Sequence, residues 1–135
     1  MSNIWVSQAI EQWEKENIEL NSGVNSNQIS EVESQLDFLF PNEFKELYLK
    51  VNGFRNNDWR KNMFSIWPLD RILKEYQDRS DKNFIGFSDY LINSHQIGFL
   101  KNKPGVFKFY AEPELITDTF KEVVRLINTN SEFLY

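Results

Sequence analysis

Phe64-Ser65-Ile66-Trp67-Pro68-Leu69-Asp70-Arg71-Ile72 changes its period halfway along. Phe64 and Ile66 alternate about Ser65, as on a strand. Trp67-Pro68 stops that pattern, and Leu69, Ile72, Leu73 and Tyr76 resume at the spacing of one helix face. The chain on either side of this switch differs in kind. Upstream, apolar residues recur every three to four positions; downstream, aromatic and β-branched residues cluster in short runs separated by polar turns. This division predicts an α+β fold: a largely antiparallel sheet of about five strands, packed by N-terminal and C-terminal helices.

Working towards the N-terminus, residues 54–62 read as a polar loop. Before it, Phe44, Leu47, Tyr48 and Val51 follow at i, i+3, i+4 and i+7. Pro41 opens that helix, where its missing N–H is not needed, and Glu43 sits in the first turn, where the dipole favours negative charge. Asn52-Gly53 is expected to end it in a left-handed turn. A further helix begins at Asn25, with Gln28 placed for a capping box, and carries Ile29, Val32, Leu36 and Leu39. Trp5, Val6, Ala9, Ile10 and Trp13 form an apolar stripe on a first helix expected over residues 3–20, closed by Gly23.

Towards the C-terminus, a short helix from Leu69 to Tyr76 is followed by a polar loop over residues 77–83. Strands are expected at 84–87, 90–97 and 106–110, bounded by Ser88-Asp89, Gly98 and Lys103-Pro104-Gly105. A last helix over residues 117–128 places Phe120, Val123, Val124 and Ile127 on one face, with Asp118 in its first turn. No internal repeat or linker divides the 135 residues, so one domain spanning 1–135 is expected.

Composition removes several function classes. The chain has no Cys and one His, His95, which leaves no thiolate zinc site, thiol nucleophile or disulfide scaffold; no cofactor or metal is expected. The absence of Cys permits a reducing compartment, and a cytoplasmic location is the default expectation. No apolar run approaches the roughly 20 residues of a membrane span, and the N-terminus lacks the pattern of a secretory signal. The formal net charge is -5, and the deficit lies in residues 1–54, with nine acids against three bases. Arg55, Arg60 and Lys61 are too few to form the basic footprint that nucleic acid demands, so direct nucleic-acid binding is not expected.

Catalytic constellations are equally hard to write. The five glycines stand singly, so neither a dinucleotide fingerprint nor a phosphate loop is present. Glu11 with Glu14, and Asp78 with Asp81, fall on polar faces or in loops, where a carboxylate stays solvated and unsuited to general acid work. His95 reads as a surface or edge-strand residue, and neighbouring Ser94 points to the opposite face of a strand.

What remains is recognition by aromatic groups beside charges. Trp59 stands outside any amphipathic pattern, between Asp58 and Arg60, and interfaces favour Trp and Arg as anchors. Tyr90 beside Asp89 is placed to rim a binding surface. Asp58, Trp59, Arg60, Asp89 and Tyr90 are therefore the expected partner-binding residues. Arg60 is taken as a surface charge whose reversal leaves the fold intact.

Taken in order, three groups of residues resemble the SUKH superfamily and, within it, the Smi/Knr group. The first is Pro41, Phe44, Leu47 and Tyr48, ending in Asn52-Gly53. The second is Trp67, Pro68, Leu69 and Ile72, and the third is Phe120 after Ile116-Thr117-Asp118-Thr119. The chain has Phe40 where members commonly carry Leu. The resemblance implies helices on a largely antiparallel sheet, a packed structural Trp67, and no catalytic residues. It further implies a protein partner: bacterial members are similar to immunity proteins that neutralise polymorphic toxins, often nucleases, and fungal members to regulatory scaffolds of cell-wall assembly. The expected function is thus a non-enzymatic binding module, most specifically a toxin-immunity protein. A cell-wall or envelope-assembly regulator stands as the alternative, and a small ligand-binding domain or hydrolase using Asp89, His95 or the Trp59 loop as the third reading. Sequence does not specify the oligomeric state.

Overall fold

The computed structural model describes residues 4–55, 58–60, 63–90, 94–110, 112–129 and 134. In chain order the elements are α1 (Ile4–Lys15), β1 (Leu20–Ser22), α2 (Ser26–Leu36), α3 (Asn42–Tyr48), β2 (Val51–Phe54) and β3 (Phe64–Ile66). They continue with α4 (Leu69–Asp78), β4 (Phe84–Tyr90), β5 (His95–Leu100), β6 (Lys103–Phe109), β7 (Pro113–Thr117) and α5 (Phe120–Asn128). Strands β3-β4-β5-β6-β7 form one antiparallel sheet in chain order, and β1 pairs with β2 in a separate antiparallel ribbon. The α+β class and the five-stranded sheet are as the period switch at Trp67-Pro68 predicts.

One apolar cluster draws residues from all five helices. Its centre is Phe44, stacked between Phe40 at 3.9 Å and Tyr48 at 4.1 Å, with edges turned to Phe120 at 5.2 Å and Phe99 at 6.0 Å. Offset and edge-on arrangements of this kind add to the large area each ring buries. Because strand residues alternate, Phe84 faces away from Ile85 and joins Leu100 and Phe107 in a smaller cluster on the other side of the sheet.

The helix starts follow local chemistry. Asn25 and Gln28 form the expected capping box, at 2.8 and 2.9 Å. Glu43 lies in the first turn of α3 and also accepts from Lys121 N of α5 at 3.0 Å.

Several boundaries depart from expectation. The first helix stops at Lys15, and residues 20–22 turn into β1. Helix α3 stops at Tyr48, so Asn52-Gly53 is not its terminus but the middle of β2. Gly53 does take a positive φ of 68°, for another reason: a Cβ there would lie 2.5 Å from Pro68 N and from the Trp67 carbonyl carbon. Asn52 Oδ1 meanwhile accepts from Leu69 N at 2.8 Å, supplying from β2 the cap that Pro68 cannot give α4.

Further on, Ser88-Asp89 lies inside β4, and Gly98 lies inside β5 opposite Gly86, instead of between strands. Lys103-Pro104-Gly105 opens β6, and Pro113–Thr117 forms an edge strand that sequence reading missed. Helix α5 starts at Phe120 behind the N-cap Thr119, so Asp118 precedes it and Glu122 occupies its first turn. His95 belongs to the central strand β5, not to an edge, and is buried; its Nε2 lies 2.9 Å from Leu134 O.

Candidate functional site

A single exposed apolar side chain is ordinary, whereas neighbouring ones beside a concavity form a candidate contact surface. Two such side chains meet at one place. Trp59 is 43% and Met63 40% exposed, and both border a groove of about 350 Å³ completed by Ser65, Arg71, Lys74, Glu75 and Asp89. A second concavity of about 530 Å³ shares Arg71 and Lys74 and continues to Asn21, Asn52, Arg55 and Asp70.

The loop bearing Trp59 is tied down at several points. Arg55 N donates to Glu19 O at 2.8 Å, and Asp58 accepts from Glu19 N at 3.2 Å and Trp59 N at 2.9 Å. Arg60 N donates to Phe64 O at 2.8 Å, and Met63 N to Arg60 O at 2.9 Å. Met63 has φ 71°, a left-handed conformation that turns the chain into β3.

The groove floor is a closed polar unit. Asp89 is buried, and its Oδ1 accepts from Ser65 Oγ and from Trp67 Nε1, the latter at 3.0 Å. Its Oδ2 faces Arg71 Nη2 at 3.3 Å. The Arg71 guanidinium lies 4.3 Å over the Trp67 ring and reaches Glu75 at 3.8 Å. These bonds fix the orientation of Trp67 and Arg71 about one carboxylate. Lys74 pairs with Asp78 at 3.1 Å, both exposed, so it remains a readily exchanged rim charge.

The five expected binding residues therefore divide. Trp59 and Asp89 share the groove, and Asp58 shapes the loop above it. Arg60 is not a surface charge: it is 5% exposed and paired with Glu16 at 2.7 Å. Tyr90 neighbours Asp89 on β4 and so faces the opposite side, where it stacks on His95 at 5.1 Å and packs on Phe64 at 5.0 Å. Met63, Arg71, Lys74 and Glu75 were missed. The last three had a signal: they lie on α4 opposite the face given by Leu69, Ile72 and Tyr76.

Among the described residues no three His, Asp or Glu side chains converge as metal ligands, and no helix is long and apolar enough to cross a membrane. None of the curated proteins compared with the chain matches it. A family model, the SMI1 / KNR4 family (SUKH-1), matches residues 23–134. That stretch contains α2 to α5, the whole five-stranded sheet and the Trp59 groove, so the chain belongs to the SMI1 / KNR4 family (SUKH-1).

Proposed function

We propose that this protein is a non-enzymatic, cytoplasmic binding module that acts by occupying a partner protein, most specifically an immunity protein that neutralises a cognate toxin. The observation that carries the reading is the pairing of Trp59 and Met63, exposed and held in place, over a polar floor whose carboxylate is already committed to Ser65, Trp67 and Arg71. An exposed Trp beside a rim of exchangeable charge is the composition of an interface hot spot. A buried Asp spent on internal donors is poorly placed to move a substrate proton. Acids concentrated in the first 54 residues add long-range attraction for a basic partner. Membership of the family supports immunity or regulation in general terms.

The test is co-expression with the product of the adjacent gene. Growth rescue and a one-to-one complex are expected. Trp59→Ala should weaken that complex roughly thirtyfold, the ~2 kcal/mol of an aromatic hot spot, while changing fold stability by no more than about 0.5 kcal/mol. Unaltered affinity by calorimetry removes the groove from the interface. Several weak envelope-associated partners in place of one tight one select the regulatory scaffold reading instead.

A further inference from the structure

Arg60 and Trp59 are adjacent, yet one is enclosed and the other open to solvent. The Arg60 guanidinium points inward and ties the loop to the ends of α1 and α5. Its Nε and Nη2 grip the Glu16 carboxylate, beyond the end of α1, at 2.8 and 2.7 Å. Nη1 donates to Ile127 O, and Nη2 lies 3.4 Å from Asn128 O, at the C-terminal end of α5. There a cation satisfies carbonyls that lack helical partners and meets the negative end of the helix dipole.

The receiving groups are themselves fixed. Gln12 Nε2 donates to Glu16 Oε2 at 3.1 Å and to Asn128 O at 2.8 Å, and Trp13 Nε1 donates to Asn128 Oδ1 at 2.8 Å. The two-pronged grip on Glu16 with simultaneous bonds to two carbonyls uses the planar fork of arginine. Lysine, with one nitrogen, cannot reproduce it.

We infer that Arg60 is a positioning residue for Trp59: its inward anchorage on Glu16 and the α5 terminus sets the outward projection of the indole over the groove. The functional meaning rests on the reading of Trp59 as a partner contact. The geometry itself is testable on the isolated chain. With Arg60 clamped and its backbone N–H and C=O both bonded, Trp59 enters a complex already ordered, which lowers the entropic cost of association.

The test uses the full chain, labelled with nitrogen-15, and reads the indole N–H order parameters of Trp59 and Trp67. Arg60→Lys keeps the charge and loses the fork; Glu16→Gln keeps the shape and loses the carboxylate charge. Glu33→Gln is the control. Glu33 is also a buried carboxylate, accepting from Phe40 N at 2.8 Å and facing Lys45 at 3.4 Å, but it belongs to α2 and, among the described residues, bonds to none of the loop. In both test variants the Trp59 order parameter should fall below about 0.6 while Trp67 stays near the rigid value of about 0.85. The control should leave both unchanged even if its melting temperature drops.

An undiminished Trp59 value in both variants overturns the inference. So does an equal loss at Trp67, or the same loss in Glu33→Gln. If Arg60→Lys does not fold, Glu16→Gln decides alone; if neither gives a cooperative melt, Arg60 is a foundation of the fold and not a positioning residue. Because no partner is present, this outcome is independent of whether Trp59→Ala weakens a complex.

Discussion

His95 lies within the aromatic packing of β4 and β5, stacked on Tyr90 and edge-on to Phe64 at 6.1 Å. Burial, reinforced by the charge of Lys108, pushes its pKa below the usual 6.5. The hydrogen bond with Leu134 and the charge of Asp89 oppose that shift without cancelling it. The folded chain thus refuses a proton that the unfolded chain accepts. Stability from this residue is therefore present above the unfolded pKa and lost as pH falls from about 6.5 to the lower folded value. The urea midpoint should drop on going from about pH 7.5 to 5.5, a window in which few other side chains titrate. His95→Gln should flatten that part of the curve. A midpoint in the native chain that is level across the window, or one that rises on acidification, refutes the assignment. The single His of the sequence is a stability group; its neighbours, not its identity, decide that.

Asn52 and Gly53 show how an element depends on residues outside it. Helix α4 begins after Pro68, which has no side-chain acceptor, so the amide of Leu69 takes its bond from Asn52 on β2. Gly53 lets β2 come close enough for that bond to form. Asn52→Ala should cost about 1 kcal/mol, as loss of an N-cap does. Gly53→Ala, strained at φ 68° and blocked by Pro68, should cost more than about 1 kcal/mol. Both are read from urea denaturation, and a neutral Gly53→Ala sinks the close-approach argument.

The same pair marks the limit of sequence reading. Its family position and the positive φ at Gly53 were legible, but β2 was not. Unlike β3, β1 offers one apolar residue in Leu20-Asn21-Ser22, and β2 follows α3 so closely that Val51 continues the helical spacing; β7 opens on a proline that reads as a break. The capping box of α2 and the faces of α3, α4 and α5 were legible because each rests on a local rule repeated several times along the chain. The groove was half legible. An aromatic outside any periodic face announces Trp59, whereas the burial of Arg60 depends on carbonyls of Ile127 and Asn128, far along the chain, which no local pattern contains.

At the scale of the molecule, the family match begins at residue 23 and so leaves out α1 and β1. Their packing says they are part of the fold. Trp13 is fully buried and meets Phe54 of β2 edge-on at 5.1 Å; Trp5 meets Phe120 of α5 at 6.2 Å. Leu20 pairs with Phe54 and Ser22 with Val51 across the ribbon, and Glu16 supplies the carboxylate that holds Arg60. Val6, Ala9 and Ile18 are buried as well. Each large apolar side chain is worth about 1.5–3 kcal/mol of burial, and domains of this size have only about 5–15 kcal/mol in total. Removing residues 1–22 would expose Phe54 and Phe120 and take the Glu16 carboxylate from Arg60, a loss comparable with the whole stability. The shortened chain, although it retains the entire family-matched stretch, should therefore lose its near-ultraviolet circular dichroism and its cooperative melt. A sharp transition within a few degrees of the full chain would instead make α1 and β1 an appendage.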